Sequence, residues 1–228
     1  MQLDTYGQQT QVLSQSANRV LRNTYMLLAL TMVPTVAGAL LGVQMQFSFL
    51  AGSPFIAFML FLGISFAFFW GIERNKNSGL GVALLLGFTF FMGLMLSRMI
   101  AMVLGFKNGS ELIMTAFAGT AGVFFVMASL ASTIKRDLSG MSKWLMVGAL
   151  AIMIGGIVNV FVGSSVGIMV ISVMAIGIFS AYMLYDLKQI IDGGETNYIS
   201  ATLALYLDIF NVFQSLLALL GIMGGERD

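Results

Sequence analysis

The feature that most constrains this chain is a succession of long apolar segments separated by short polar breaks. A helix needs about 20 mostly apolar residues to cross the ~30 Å hydrocarbon layer of a bilayer, and the segments reach that length. Only 9% of the residues are charged, which is too few to cover a water-facing surface. We therefore predict an all-α integral membrane protein with seven transmembrane helices. The same composition excludes a soluble enzyme, a coiled coil and a disordered chain.

The predicted organisation is a transmembrane domain over residues 24–222, preceded by a polar tail, 1–23, and followed by a short segment, 223–228. Residues 1–18 lack the basic and apolar regions of a signal peptide, so we expect the tail to stay on the mature chain. The predicted spans are approximately 24–43, 54–72, 79–104, 112–134, 144–163, 165–185 and 198–222.

The distribution of basic residues predicts the orientation, because short cytoplasmic loops carry an excess of Lys and Arg. With seven spans, the basic residues collect on one side, which places the N-terminus in the cytoplasm and the C-terminus outside. Those on the predicted cytoplasmic side are Arg19, Arg22, Arg74, Lys76, Lys135, Arg136, Lys143 and Lys188; those opposite are Lys107 and Arg227. Five aromatic residues fall at the same predicted interface: Tyr25, Trp70, Trp144, Tyr185 and Tyr198.

The sequence contains neither Cys nor His. This excludes disulfides, thiol redox chemistry and metal sites built from thiolate or imidazole ligands. Histidine is the side chain that usually titrates near neutral pH. Proton chemistry inside this protein must therefore use carboxylates, tyrosines or lysines, and we expect no cofactor.

Asp208 is the acidic residue whose position is hardest to explain as structural. It lies about ten residues into the last span, which at ~1.5 Å per residue is close to mid-depth. A charged Asp there costs ~2.5–3.5 kcal/mol on insertion scales, so such a residue indicates function unless it serves as interhelical glue. Asn211 and Ser215 follow at helical spacing, which predicts a polar stripe facing the bundle interior.

Asp186 closes the predicted sixth span and could alone be an ordinary interfacial residue. The sixth and seventh spans are antiparallel neighbours in sequence, which predicts that Asp186 and Asp208 lie in the same cytoplasmic half. Two close carboxyl groups cannot both ionise cheaply, so they share a proton and titrate as a pair. Deprotonated, they offer the hard oxygen ligands that suit Ca²⁺. We therefore predict a proton- or cation-sensing pair.

Other intramembrane features have simpler interpretations. Arg98, near the end of the third span, is predicted to extend to the external headgroups, and Asn159 to form an interhelical hydrogen bond or line a polar path. Small residues spaced four apart predict close approach of helix backbones. These pairs are Ala118 with Gly122, Ala151 with Gly155, and Gly177 with Ala181.

The segments around the two aspartates resemble the Bax inhibitor-1 family. They are Tyr185-Asp186-Leu187-Lys188-Gln189-Ile190 and Leu205-Tyr206-Leu207-Asp208 with Asn211 following. Two further segments resemble the bacterial YccA-type branch: Val20-Leu21-Arg22-Asn23-Thr24-Tyr25 and Gly193-Gly194-Glu195-Thr196-Asn197-Tyr198.

The resemblance implies a seven-helix fold with the last helix central, in a bacterial inner membrane. It also implies a pH-sensitive Ca²⁺ leak that a di-aspartate latch closes, with Asp186 and Asp208 at the matching positions. Tyr185 and Tyr206 would be supporting polar residues. Members of the YccA-type branch are associated instead with restraining the membrane-bound protease FtsH, which engages their N-terminal tail.

The chain departs from the leak-active members at its second span. They carry an acidic residue there, whereas none occurs between Ser53 and Ile72. They also carry an arginine that locks the aspartate pair at the cytoplasmic end of that span. Arg74 is the nearest candidate for this latch.

Three functions are compatible with these observations. The first is a pH-sensitive leak for Ca²⁺ or other cations, and the second is a non-transporting regulator of FtsH. The third is an intramembrane aspartyl protease, because Tyr185-Asp186 resembles half of the presenilin-type signature and paired aspartates suit acid–base hydrolysis. The Gly-x-Gly expected before the second aspartate is replaced by Leu205-Tyr206-Leu207, so we predict that the chain is not an enzyme.

Overall fold

A computed structural model describes residues 2–47 and 54–225, with side chains over 17–47 and 55–225. Within these ranges the chain forms seven α-helices and no β-strand, and all seven are long and apolar enough to cross a membrane. The helices are α1 (Gln2–Gln44), α2 (Pro54–Arg74), α3 (Gly79–Leu104), α4 (Gly109–Thr133), α5 (Met141–Val162), α6 (Ser165–Ile191) and α7 (Tyr198–Gly224).

Helix α1 begins far earlier than the first predicted span. It is continuous from Gln2, and its apolar part is Ala17–Gln44. No proline precedes Pro34 and the only earlier glycine is Gly7, so little in this polar stretch opposes a helix. The predicted tail is therefore helical from Gln2. Met1 and the end of the chain from 226, including Arg227, lie outside the described residues.

The chain divides into two compact units. The first contains residues 1–17, 103–195 and 204–228, and the second contains 18–102 and 196–203. Helix α7 thus contributes residues to both, while its predicted central position stays a prediction.

In the second unit, α1 and α3 cross with their backbones in contact. A Cβ added at Gly38 would overlap the carbonyl oxygen of Phe90, and one added at Gly93 would overlap the carbonyl oxygen of Thr35. Gly42 lies equally close to the Ser97 side chain. Small residues permit such approach between membrane helices.

The close approach predicted at three other small-residue pairs is wrong for their glycines. Among the described residues, no neighbouring atom lies within 4 Å of a Cβ built at Gly122 or Gly177. A Cβ built at Gly155 would meet only the Ile171 side chain, at an ordinary van der Waals distance of 3.6 Å. Spacing identifies small residues but does not identify the helix face that carries the contact.

In the first unit, α6 packs against both α4 and α5. The charge-free break between α5 and α6 is a tight turn. Gly163 adopts a left-handed conformation (φ 68°), and its N–H donates to the Asn159 carbonyl oxygen. Ser164 then caps α6, because its hydroxyl oxygen accepts from the Gly167 N–H at 3.0 Å.

The start of α7 is fixed by one side chain of the second unit. The Asn197 carbonyl oxygen accepts from the N–H groups of Ile199 and Ser200, at 2.9 and 3.2 Å. Its amide donates to the Lys76 carbonyl oxygen and to Asn77 Oδ1, at 2.9 and 2.8 Å. This cap ties α7 to the connection between α2 and α3.

Candidate functional site

Asp208 lies on α7 in the first unit, where only 4% of its surface is exposed. Its helical neighbours Leu205 and Val212 are fully buried. The Oδ2 atom of Asp208 has no hydrogen-bond partner among the described residues. An unsatisfied buried oxygen on an acidic side chain is unfavourable, and such atoms concentrate at sites with a role beyond packing.

Asp186 lies on α6 and meets Asp208. Helix α6 continues to Ile191, so Asp186 stands inside the helix and not at its end. The charges of its half-buried side chain and of the Asp208 side chain act on each other. An ionised carboxylate only accepts hydrogen bonds, so a bond between the two groups requires one proton. We call these two residues the aspartate pair.

Two groups around the aspartate pair were not predicted from the sequence. Tyr182 precedes Asp186 by one turn and interacts electrostatically with both aspartates. Glu195, in the connection between α6 and α7, adds a further negative charge that acts on Asp186. The four-residue spacing between Tyr182 and Asp186 was a signal for the first, whereas nothing in the sequence pattern singled out Glu195.

One side chain of the predicted polar stripe on α7 is already hydrogen-bonded within its own helix. Ser215 is buried and Asn211 is half-buried. The Asn211 amide donates to the Leu207 carbonyl oxygen of its own helix at 2.7 Å. Tyr206 is almost fully buried, with its ring 6.0 Å from that of Phe210.

Tyr185, predicted as a supporting residue, is half-buried next to Asp186 in the chain. It interacts electrostatically with Tyr182. Three tyrosine hydroxyl groups are therefore carried by the α6 and α7 segments that also carry the aspartate pair, and that of Tyr182 interacts with both carboxyl groups.

Arg74, the predicted latch, lies at the end of α2 in the second unit. Its guanidinium carbon is 5.1 Å from the centre of the Trp70 ring, a cation–π arrangement, and its side chain is exposed. Its action on the aspartate pair stays a prediction. Arg98 is exposed on α3, and Asn159 is half-buried on α5 with Oδ1 close to Gly167.

Lys188 lies on α6 two residues after Asp186, and it is buried. The sequence places it after the predicted sixth span, on the cytoplasmic side. Its ammonium group pairs with Asp192 Oδ1 at 2.7 Å, one turn later. Asp192 is half exposed, so the ion pair leads from the protein interior towards water. This arrangement satisfies a cation that would otherwise be buried alone.

The chemistry of the aspartate pair fits protons more directly than a tightly bound metal. Among the described residues, no group of three or more His, Cys, Asp or Glu side chains could hold a metal ion. Calcium prefers six to eight oxygen ligands, and two carboxyl groups supply at most four. Binding of Ca²⁺ by Asp186 and Asp208 would therefore be weak and transient, and it stays a prediction.

Comparison with known proteins places the chain in a family. The family described as "Inhibitor of apoptosis-promoting Bax1" matches residues 17–225, which include all seven apolar spans. The chain belongs to the Bax inhibitor-1 family. The resemblance inferred from the aspartate segments is thereby confirmed.

Curated relatives match over nearly their whole length. A protein of Neisseria meningitidis serogroup A is 35% identical over 228 residues, covering 99% of this chain and 100% of the relative. A Vibrio cholerae protein described as a membrane protein is 35% identical over 92% of both chains. Escherichia coli K12 "Modulator of FtsH protease YccA" is 34% identical, over 90% of this chain and 91% of that protein.

These descriptions agree with the seven apolar helices: this Bax inhibitor-1 family member is a multi-pass membrane protein. A second Escherichia coli relative, again 34% identical, is described as "Inner membrane protein YccA". The descriptions are those of an inhibitor and a modulator, which point to a non-enzymatic protein.

Proposed function

We propose that this protein is a pH-sensitive leak for Ca²⁺ or other cations, closed by the contact between Asp186 and Asp208. The observation that carries the proposal is that two carboxyl groups, the buried one of Asp208 on α7 and the half-buried one of Asp186 on α6, act electrostatically on each other. In a chain without histidine, this pair is the group best suited to sense protons between helices.

The gating step follows from the charge of the aspartate pair. With one shared proton, the carboxyl groups attract and hold α6 against α7. When that proton leaves, two negative charges face each other in a region of low dielectric, and their repulsion separates the helices. A cation that reaches the ionised pair replaces the proton and reduces the repulsion. Glu195 increases the attraction for such a cation, since its charge also acts on Asp186.

The test is a flux assay on purified protein in liposomes loaded with a Ca²⁺ dye, from about pH 6 to pH 8. We expect wild-type influx to rise with pH, and Asp186→Asn and Asp208→Asn to lose that dependence. Glu111→Gln, the same change at an exposed carboxylate at the start of α4, is the matched control and keeps the wild-type profile. Flux equal to that of empty liposomes at every pH would refute the leak.

We propose that the protein lies in a bacterial inner membrane with the N-terminus in the cytoplasm. The proposal rests on the basic residues on one side of the seven spans. Cysteines introduced singly at Ser139 and Asn108, in connections predicted to face opposite sides, test it. In intact cells, a membrane-impermeant thiol reagent should label only the Asn108→Cys variant. Labelling of only Ser139→Cys would reverse the orientation.

A second function is favoured by one comparison: the protein modulates an FtsH-type membrane protease. The relative that carries this description is 34% identical over about nine-tenths of both chains. Helix α1 extends from Gln2, well ahead of its apolar part, and offers a handle for such a protease. The two functions are separable, because one depends on the aspartate pair and the other on α1.

The matching experiment measures how fast purified FtsH degrades a second membrane substrate in the presence of this protein. Deletion of residues 1–18 should abolish any slowing of that degradation, whereas Asp208→Asn should preserve it. Equal slowing by the full and shortened chains would reject α1 as the handle. We further propose that the protein has no proteolytic activity of its own, which the same assay without FtsH tests.

A further inference from the structure

The connection between α4 and α5 carries a group of cations that neither proposed function uses. Lys135 and Arg136 follow the end of α4, and Lys143 lies in the first turn of α5. All three side chains are exposed, and none forms an ion pair with any described residue. We call these three residues the α4–α5 basic group.

The acidic residue within this connection does not neutralise the group. Asp137 Oδ1 accepts a hydrogen bond from the Ser139 N–H and Oδ2 accepts one from the Ser139 hydroxyl, both at 2.8 Å. Its carboxylate is therefore directed to its own turn. Three positive charges against one negative charge leave the segment net positive.

The connection between α2 and α3 provides a contrast within the same chain. There, Lys76 pairs with Glu73, and Arg74 lies over the ring of Trp70. Its cations therefore have intramolecular partners. Those of the α4–α5 basic group have none in the described part of the chain, so they are available to an external anion.

The neighbouring side chains place this group at the depth of lipid headgroups. Trp144 directly follows Lys143 and is 78% exposed, as expected for a tryptophan at the boundary between hydrocarbon and water. Leu138 is buried in the middle of the connection, which holds the segment against the protein. The cations thus lie beside a membrane-interface anchor and not at the tip of a long loop.

We propose that the α4–α5 basic group binds the phosphate of an anionic phospholipid headgroup, with Trp144 beside the bound lipid. Arginine can donate two parallel hydrogen bonds to a phosphate, and the lysines add charge on either side of it. Anionic lipids surround a bacterial membrane protein at high concentration, so phosphate in a headgroup is the ligand this position meets. The contact recruits anionic lipid next to α5.

The test uses fluorescence quenching of Trp144 by brominated lipid. The full-length Trp70→Phe variant retains Trp144 as its only tryptophan. It is reconstituted in neutral phosphatidylcholine containing a small fraction of either brominated phosphatidylglycerol or brominated phosphatidylcholine. We expect the anionic lipid to quench at about one-fifth of the concentration that the neutral lipid requires, the preference that one well-placed cation gives.

Two variants in this background separate the basic group from general membrane charge. Lys135→Gln/Arg136→Gln/Lys143→Gln should make the two lipids equally effective, and unchanged quenching by the neutral lipid reports that it remains inserted. Arg74→Gln/Lys76→Gln, which removes charge at the α2–α3 connection, should keep the preference. Soluble inorganic phosphate should not displace the anionic lipid. Equal quenching in the parent protein, an unchanged preference in the triple variant, or displacement by phosphate would overturn the proposal.

Discussion

Two helix contacts in this protein solve the same packing problem with opposite chemistry. Helices α1 and α3 meet through Gly38 and Gly93, whose missing side chains let each helix touch the other's backbone. Helices α6 and α7 carry two carboxyl groups whose charges act on each other, and a hydrogen bond between them would require a shared proton. The first contact contains no group that changes charge, whereas the second is built from two groups that do.

The difference shows where movement can be built into a membrane protein. Both contacts lie on helices that are apolar and long enough to cross a membrane. Between such helices in a bilayer the hydrophobic effect gives no attraction, so packing or hydrogen bonding must hold them together. Backbone packing is insensitive to pH and to ions. A contact between two carboxyl groups is attractive when they share one proton and repulsive when both are ionised. The glycine contact therefore suits a fixed frame, and the aspartate pair suits an adjustable one.

The largest effect on stability is expected when a methyl group is added at the glycine contact between α1 and α3. Gly93→Ala places a methyl group against the Thr35 carbonyl oxygen, and a backbone atom cannot rotate away as a flexible side chain can. We expect a loss of about 3 kcal/mol of unfolding free energy, at the upper end for overpacked sites. Thermal unfolding in detergent should show a lowered midpoint at every pH.

Gly122→Ala is the control for this experiment, because a Cβ at Gly122 meets no described atom within 4 Å. It should leave the midpoint unchanged or slightly raised, since alanine favours helix. Equal destabilisation by both substitutions would mean that the loss does not come from the overlap with the Thr35 carbonyl oxygen, and the contrast between the two contacts would lose its basis.

The second-largest effect on stability is expected at the aspartate pair, and it should depend on pH. In Asp208→Asn, the new amide can donate to Asp186 without a proton, so the contact persists when the carboxylate is ionised. We expect this variant to match the wild type at low pH and to exceed it by about 1 kcal/mol at high pH, the value of one hydrogen bond. Unfolding measured across pH should show a wild-type stability that falls as pH rises and a flatter variant. Parallel curves would show that the pair does not bind a proton in the folded state.

A smaller effect is expected at the ion pair between Lys188 and Asp192, close to the aspartate pair on α6. Asp192→Asn leaves the buried Lys188 ammonium without its carboxylate. Because Asp192 is half exposed, water offsets part of the loss, and we expect about 1 kcal/mol of destabilisation. Adding Lys188→Met, which keeps the apolar stem and removes the charge, should restore most of the stability. A double variant as unstable as the single would assign the loss to another contact of Asp192.

The smallest effect concerns a carboxylate that faces water. Two hydrogen bonds to the charged form of Asp137 lower its pKa. The larger effect comes from the Ser139 backbone N–H and the smaller from the Ser139 hydroxyl. A lowered pKa contributes stability above the unfolded value, near 4, and that contribution is lost as pH falls through the folded value. Ser139→Ala should therefore reduce stability slightly at neutral pH, with the two proteins converging in acid. A difference that persists in acid would have another origin.

The spans were predictable because apolar length is a direct requirement of the bilayer. The start of α1 was not, because a polar helix outside the membrane has no apolar run to reveal it. The contact of Asp186 with Asp208 could be anticipated from depth and antiparallel connection. Tyr182 could have been found from its four-residue spacing, but Glu195 is brought near by a turn and not by a periodic pattern.

The contact glycines show a second limit of sequence reasoning. Gly38 and Gly42 have the same four-residue spacing as Ala118 and Gly122, yet a Cβ added at Gly38 or Gly42 would overlap another helix, whereas one added at Gly122 meets no described atom within 4 Å. The deciding quantity is the helix face that meets a neighbour. A small residue is tolerated on a face that meets lipid as well as on a face that meets protein. The sequence alone therefore does not identify the packed face, which depends on the tertiary arrangement.

The turn at Gly163 and Ser164 has a consequence for how the protein is made. Only these two residues separate α5 from α6, and the two helices pack together. Such a hairpin can enter the bilayer as one unit during synthesis, with each helix shielding part of the other. Asp186 enters with it, ahead of the α7 segment that carries Asp208. Until α7 inserts, this hairpin carries an acidic group in the bilayer without its companion.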